Sequence, residues 1–249
     1  MKRTLIGLMT AGTVAAVAIF ATGAFFQDTE TSSDNTFTAG KLDLQVDFEG
    51  YYNELVDGTP NAGSWTLADL TTQKFFNLTD VKPGDFGEGT VSLHVFDNDA
   101  WACVTITPTA NDDMGCTEPE SGVDATCGDP GPGEGELAQN LVFTIWADIC
   151  NVDTADPGDN VFQEQCDIPL TQGFGPTSPV TWALADSANN NVFTGAPGPL
   201  IGSNTYYLGM GWTLPGNTTD IVQSDKYQAD ISFYTEQHRN NPGFLCNPE

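Results

Sequence analysis

The chain is short of positive charge. Of its 249 residues only 7 are Lys or Arg, against 34 Asp or Glu, for a formal net charge of −27. A surface of that sign repels polyphosphates, which excludes nucleic acid as a partner. Histidine is almost as scarce: His94 and His238 are the two in the chain, and they are far apart. There is no H-E-x-x-H, so a zinc peptidase would need further ligands that no motif proposes. There is no G-x-S-x-G elbow and no C-x-x-C pair, which removes the usual signatures of a serine hydrolase, a zinc knuckle or a redox dithiol. A pair of carboxylates for glycoside cleavage can always be picked from 34 acids, so that pattern has no specificity. The sequence therefore reads as a non-enzyme. Helical periodicity is also weak; 26 Gly and 15 Pro, with 16% charged residues, suit strands and turns.

What is present is a core. Hydrophobic residues make up 39% of the chain, including 15 Phe, 6 Tyr and 5 Trp, whereas acidic disordered chains are poor in aromatics. Met1-Lys-Arg, the apolar run Leu5 to Phe20 and the small residues Ala21-Thr-Gly-Ala24 form a signal peptide over 1–24. The run from Thr4 to Phe26 is also long enough to anchor in a bilayer, but acidic polar sequence follows at once from Gln27, which favours cleavage and leaves no membrane segment. The mature chain then carries 34 acids against 5 bases, or −29. Its six cysteines, Cys103, Cys116, Cys127, Cys150, Cys166 and Cys246, are even in number, as suits disulfides in an oxidising compartment. Six cysteines allow 15 pairings; local closure favours Cys116–Cys127 and Cys150–Cys166, leaving Cys103 with Cys246.

Residues 41–249 read as one all-β domain, a jelly roll or β-sandwich with long loops. Leu42, Leu44, Val46 and Phe48 alternate with polar residues, as do Val91, Leu93 and Val95. Past an Asp97-Asn98-Asp99 turn, Ala102, Val104 and Ile106 begin a strand that Pro108 is expected to stop. Leu141 to Ala147 suits a strand covered on both faces. Val180, Trp182 and Leu184, then Tyr206, Leu208, Met210 and Trp212, then Tyr227, Ala229, Ile231 and Phe233 complete the series. Gly209 and Gly211 are expected to leave one face bare. Ser64 to Thr72 is the one stretch that reads as a helical turn, with Ser as its cap. His94 falls on the polar side of its strand.

Charge collects in the loops. Asp148, Asp153, Asp156, Asp159 and Glu164 place oxygen donors on a turn-rich loop spanned by Cys150 and Cys166. Calcium takes 6 to 8 oxygens, so this loop is a candidate calcium site, although its spacing is not that of an EF-hand. A looser cluster comprises Asp112, Asp113, Glu118 and Glu120. No other cofactor is implied. Asn77-Leu-Thr79 and Asn217-Thr-Thr219 are glycosylation sequons, at Asn77 and Asn217.

Three windows carry a resemblance. Gly23-Ala-Phe-Phe-Gln-Asp-Thr-Glu-Thr-Ser leads into Asn35-Thr-Phe-Thr-Ala-Gly-Lys-Leu-Asp-Leu44; Leu78-Thr-Asp-Val-Lys-Pro-Gly-Asp85 forms a turn ahead of a strand; Gln223-Ser-Asp-Lys-Tyr-Gln precedes the last core strand. Together they resemble the TasA/camelysin family of exported biofilm-fibre proteins, including its archaeal bundling-pilus relatives. The resemblance implies a jelly-roll subunit released by a dedicated signal peptidase. It also implies an extended N-terminal segment, here 25–40, that adds as a strand to the next subunit. Phe25, Phe26 and Phe37 would be its apolar anchors and Gly40 its hinge, and the partner would be a further copy of the chain in an extracellular filament or biofilm matrix. Two other readings stay open: a monomeric secreted β-sandwich that binds carbohydrate or calcium at the cell surface, and the metallopeptidase class to which camelysin relatives have been assigned.

Overall fold

A computed structural model describes residues 42–53, 60–152 and 156–246. The signal peptide at 1–24, the segment 25–40 with Phe25, Phe26, Phe37 and Gly40, and Asp153 in the cysteine-spanned loop lie outside the described residues.

Alternating apolar residues build two antiparallel sheets facing one another in a β-sandwich. The larger has six strands in the order β2-β1-β3-β8-β5-β6: β1 (Leu42–Tyr52), β2 (Gly63–Ala68), β3 (Phe86–Asp97), β5 (Val142–Ala147), β6 (Ile168–Phe174) and β8 (Asn204–Thr213). The smaller has three, in the order β7-β4-β9: β4 (Ala100–Asp113), β7 (Val180–Ala185) and β9 (Asp225–Gln237). Among the described residues helix is confined to short turns, such as the single turn α1 (Leu137–Asn140). Among the described residues no helix is long and apolar enough to cross a membrane.

The inward rows expected from alternation meet in the core. Val46 and Phe48 of β1, Val91, Leu93 and Val95 of β3, Leu208 and Met210 of β8 and Ile145 of β5 pack against Val104 and Ile106 of β4 and Leu184 of β7. Phe48 lies flat across its neighbours because Gly50 and Gly89 have no side chain: a Cβ there would come within 2.7 and 2.4 Å of its ring. The ring is hemmed by Trp65, Phe75 and Phe76.

Three expectations are corrected. Residues 63–68 form strand β2, not the start of a helical turn; Trp65 packs at a tilt 4.9 Å from Phe48, and pairing with β1 outweighs a Ser cap. Pro108 does not end β4. The register shifts between Pro108 and Ala110 and the strand runs on to Asp113, as a bulge permits where a proline cannot donate. The face opposite Leu208 and Met210 is not bare, for the indole of Trp146 covers Gly209, and Phe162 from the loop after β5 packs on that indole at 5.6 Å.

The disulfides are Cys103–Cys246, Cys116–Cys127 and Cys150–Cys166, with no free cysteine among the described residues. They match the pairing that local closure favours. They also indicate an oxidising, extracellular-type environment.

Candidate functional site: an acidic cluster beside an open groove

Where β4 ends and β9 begins, the ladder sets Asp113 directly opposite Asp225. The bulge after Pro108 is what carries β4 far enough to do this. The loop closed by Cys116–Cys127 folds back over the pair and delivers Glu120 from a 3-10 turn and Asp124 just beyond it. Glu136 arrives immediately before α1. Carboxylate oxygens of Asp113, Glu120 and Asp225 lie within 4.8 Å of one another. Glu120 is 0% exposed, Asp113 3% and Asp124 7%.

Four of the five carboxylates have one oxygen held by close donors, while Glu136 Oε1 has the Thr126 hydroxyl at 3.4 Å. Asp113 Oδ1 accepts from the Gly115 N–H at 2.9 Å. Glu120 Oε2 accepts from the Thr117 N–H at 3.1 Å and from the Ser224 hydroxyl at 2.8 Å. Asp124 Oδ1 accepts from the Thr126 N–H at 2.8 Å, and Asp225 Oδ2 accepts from the Glu136 N–H at 2.6 Å. The other oxygen of each residue (Asp113 Oδ2, Glu120 Oε1, Asp124 Oδ2, Glu136 Oε2 and Asp225 Oδ1) is buried and has no hydrogen-bond partner among the described residues. Burial, with the charges of Glu136 and Asp113 beside it, pushes the Asp225 carboxyl up to about 7. Burial and the neighbouring Asp124 likewise raise that of Glu136.

Against this cluster opens a cavity of about 790 Å³ between the ends of the two sheets. Its apolar walls come from Phe76, Leu78 and Val81 in the segment before β3, Leu137 of α1, Leu141, Phe143 of β5, Trp212 of β8, Val222 and Tyr227 of β9. Ser224 and Asp225 line it too, so the cluster and the groove share a wall. The rim at 78–85 is fixed by Asp85, which accepts from the Tyr52 hydroxyl at 2.6 Å, the Asn53 amide at 2.8 Å and the Lys82 N–H at 2.8 Å. Burial opposes ionisation there, but these donors hold the carboxyl below its ordinary value.

In the loop singled out for calcium, Asp148 is buried; its Oδ2 accepts from the Asn160 N–H at 3.3 Å, its Oδ1 has no partner among the described residues, and Asp159 accepts from the Gln163 amide. Asp156 and Glu164 are exposed. Burial, with Asp167 and Asp159 nearby, pushes Asp148 up to about 7; burial, with Asp159, does the same to Glu88. Among the described residues, the group of acids meeting the geometry for a metal is Asp113, Glu120 and Asp225. Of the looser cluster named from sequence, Asp113 and Glu120 belong to it, while Glu118 faces solvent. Asp124, Glu136 and Asp225 were not singled out; they come from three separate stretches of chain, and no local spacing marks them.

His94 links neighbouring strands on the outer sheet face, with Asp47 at 2.9 Å and Thr205 at 3.1 Å. His238 packs edge-on against Trp101 at 4.6 Å. Asn77 and Asn217 are both exposed. Compared with known proteins, the chain matches no family model and no curated sequence.

Proposed function

We propose that the protein is the structural subunit of an extracellular filament, polymerising head-to-tail by strand donation. The observation that carries this reading is the edge of β9. The strand is 13 residues long and, among the described strands, pairs with β4 alone. A long unpaired edge is a template for a further strand, and proteins that do not exploit such an edge blunt or cover it. The sheets are also unequal, three strands against six, and the apolar cavity opens beside the first residues of β9.

The chain has a segment of suitable character to fill that place in a neighbour. Residues 25–37 precede β1 and carry Phe25, Phe26 and Phe37. Laid along the next subunit's β9, they satisfy its backbone and sink aromatic side chains into its groove, with Gly40 as the hinge. Donor and acceptor are different surfaces, so the contact is heterologous and builds an open fibre. The resemblance of the N-terminal windows to the TasA/camelysin family supports the same reading. A carbohydrate-binding module would need exposed tryptophan platforms, whereas Trp101, Trp146 and Trp212 are buried.

Electron microscopy of the mature chain and of a form lacking Phe25 to Asp34 tests the proposal. Fibres are expected from the first and folded monomers from the second. Normal fibres from the truncated chain would reject strand donation.

A further inference from the structure

We propose that Asp113, Glu120 and Asp225 ligate a structural calcium ion, with Asp124 and Glu136 in the acidic surroundings. In each of the three one oxygen is held by donors, which fixes the carboxylate, and the other is buried and remains to be satisfied. A buried carboxylate oxygen without a donor costs free energy. Among the described residues no Lys or Arg forms an ion pair with any of the five, and the hydrogen bond that links a carboxylate of one to another runs from the Glu136 backbone N–H to Asp225 Oδ2. A cation placed between Asp113 Oδ2, Glu120 Oε1 and Asp225 Oδ1 satisfies all three at once.

The donor set selects the ion. Every ligand is a carboxylate oxygen, and the nearby Cys116 and Cys127 are consumed in a disulfide, so soft and borderline metals find no sulfur or imidazole. Two oxygens bound to one calcium at ~2.3–2.6 Å lie no more than about 5 Å apart, and the oxygens of Asp113, Glu120 and Asp225 fall within 4.8 Å of one another. Magnesium, which prefers a strict octahedron and is usually held by one or two carboxylates with its waters kept, fits three inward carboxylates less well. The ion joins three separate parts of the chain: the end of β4, the Cys116–Cys127 loop and the start of β9.

Calcium binding to the signal-cleaved chain is measured by isothermal titration after removal of divalent ions, with unfolding temperature as a second readout. Saturable binding is expected, with unfolding raised by roughly 5–10 °C at a hundredfold excess over Kd, and magnesium at the same concentration should fall well short. Glu120→Gln keeps the size and the acceptor but removes a charge. It should weaken calcium at least tenfold. Asp225→Asn, at a half-buried position, should do the same if Glu120→Gln fails to fold, and Asp148→Asn should leave affinity unchanged. No calcium heat with an unmoved unfolding temperature would overturn the site, as would wild-type affinity in Glu120→Gln or Asp225→Asn. Equal binding of magnesium would overturn the assignment to calcium.

Discussion

Gly209→Ala is a severe test of the packing on the outer face of the six-stranded sheet. A methyl group at Gly209 would lie 1.9 Å from the nearest atom of the Trp146 indole, with two more of its atoms at 2.0 and 2.5 Å. Trp146 is 2% exposed and is packed by Phe162, so the ring cannot yield by a few tenths of an ångström and must turn or leave. Overpacking of this kind costs about 1–3 kcal/mol, and complete loss of a buried tryptophan about 3–5 kcal/mol. About 3 kcal/mol is therefore expected. At ~2–4 °C per kcal/mol for a domain of this size, the unfolding temperature should fall by roughly 6–12 °C. Gly211, two residues along the same strand, is the control. Its Cβ would meet Trp146 at 3.5 Å, an ordinary contact, and alanine in a strand otherwise improves on glycine by ~0.5–1 kcal/mol, so Gly211→Ala should be neutral or slightly stabilising. In the background Trp146→Ala, the cost of Gly209→Ala should largely vanish, because the two substitutions act on one contact. Thermal and denaturant unfolding followed by circular dichroism gives all three numbers. Equal effects of the two glycine substitutions, or additivity with Trp146→Ala, would refute the packing argument.

Other outcomes follow from the same structure. The Asp148 carboxyl is held near 7 by burial against an ordinary 3.8, so the folded state binds its proton more tightly than the unfolded state. Its contribution is present below about pH 4 and lost as the pH rises through 7, so stability should decline across that window; Asp148→Asn should flatten the decline and exceed wild type at pH 8. Cys103–Cys246 spans 143 residues and Cys116–Cys127 spans 11; loop-closure entropy gives about 5 and about 3 kcal/mol respectively, so serine pairs should separate by roughly 2 kcal/mol in denaturant titrations. Fibres carrying a net −29 per subunit should repel side by side at low salt, where screening reaches ~30 Å at 0.01 M, and associate near 1 M, where it reaches ~3 Å; bundles equally abundant at both salt concentrations by microscopy would contradict this.

Seven of the nine described strands are legible in sequence: six bury one face, which writes itself as alternation, and β5 shows as a short continuous apolar run. The two that escaped are edge strands. Ile168–Phe174 of β6 begins Ile-Pro and leaves Phe174 two-thirds exposed, so its apolar residues do not single out one face. β2 is anchored mainly by Trp65, and one aromatic makes no period. Pro108 misleads because a strand end and a bulge share the same local cause, the missing donor. The cluster was half visible. Asp113, at the end of β4, and Glu120, in the loop after it, lie close in sequence, but Asp225 joins them only through the β4–β9 register, and Glu136 only because the returning loop brings it back. The groove was invisible, since its walls are assembled from separate elements whose apolar residues each look like ordinary core.

The most direct test of strand donation is amide exchange along β9 in monomers and in assembled fibres. Amides of Asp225–Gln237 that point away from β4 should exchange readily in the monomer and become protected in the fibre, alternating with those already bonded to β4. Unchanged exchange at those amides in intact fibres would contradict the account.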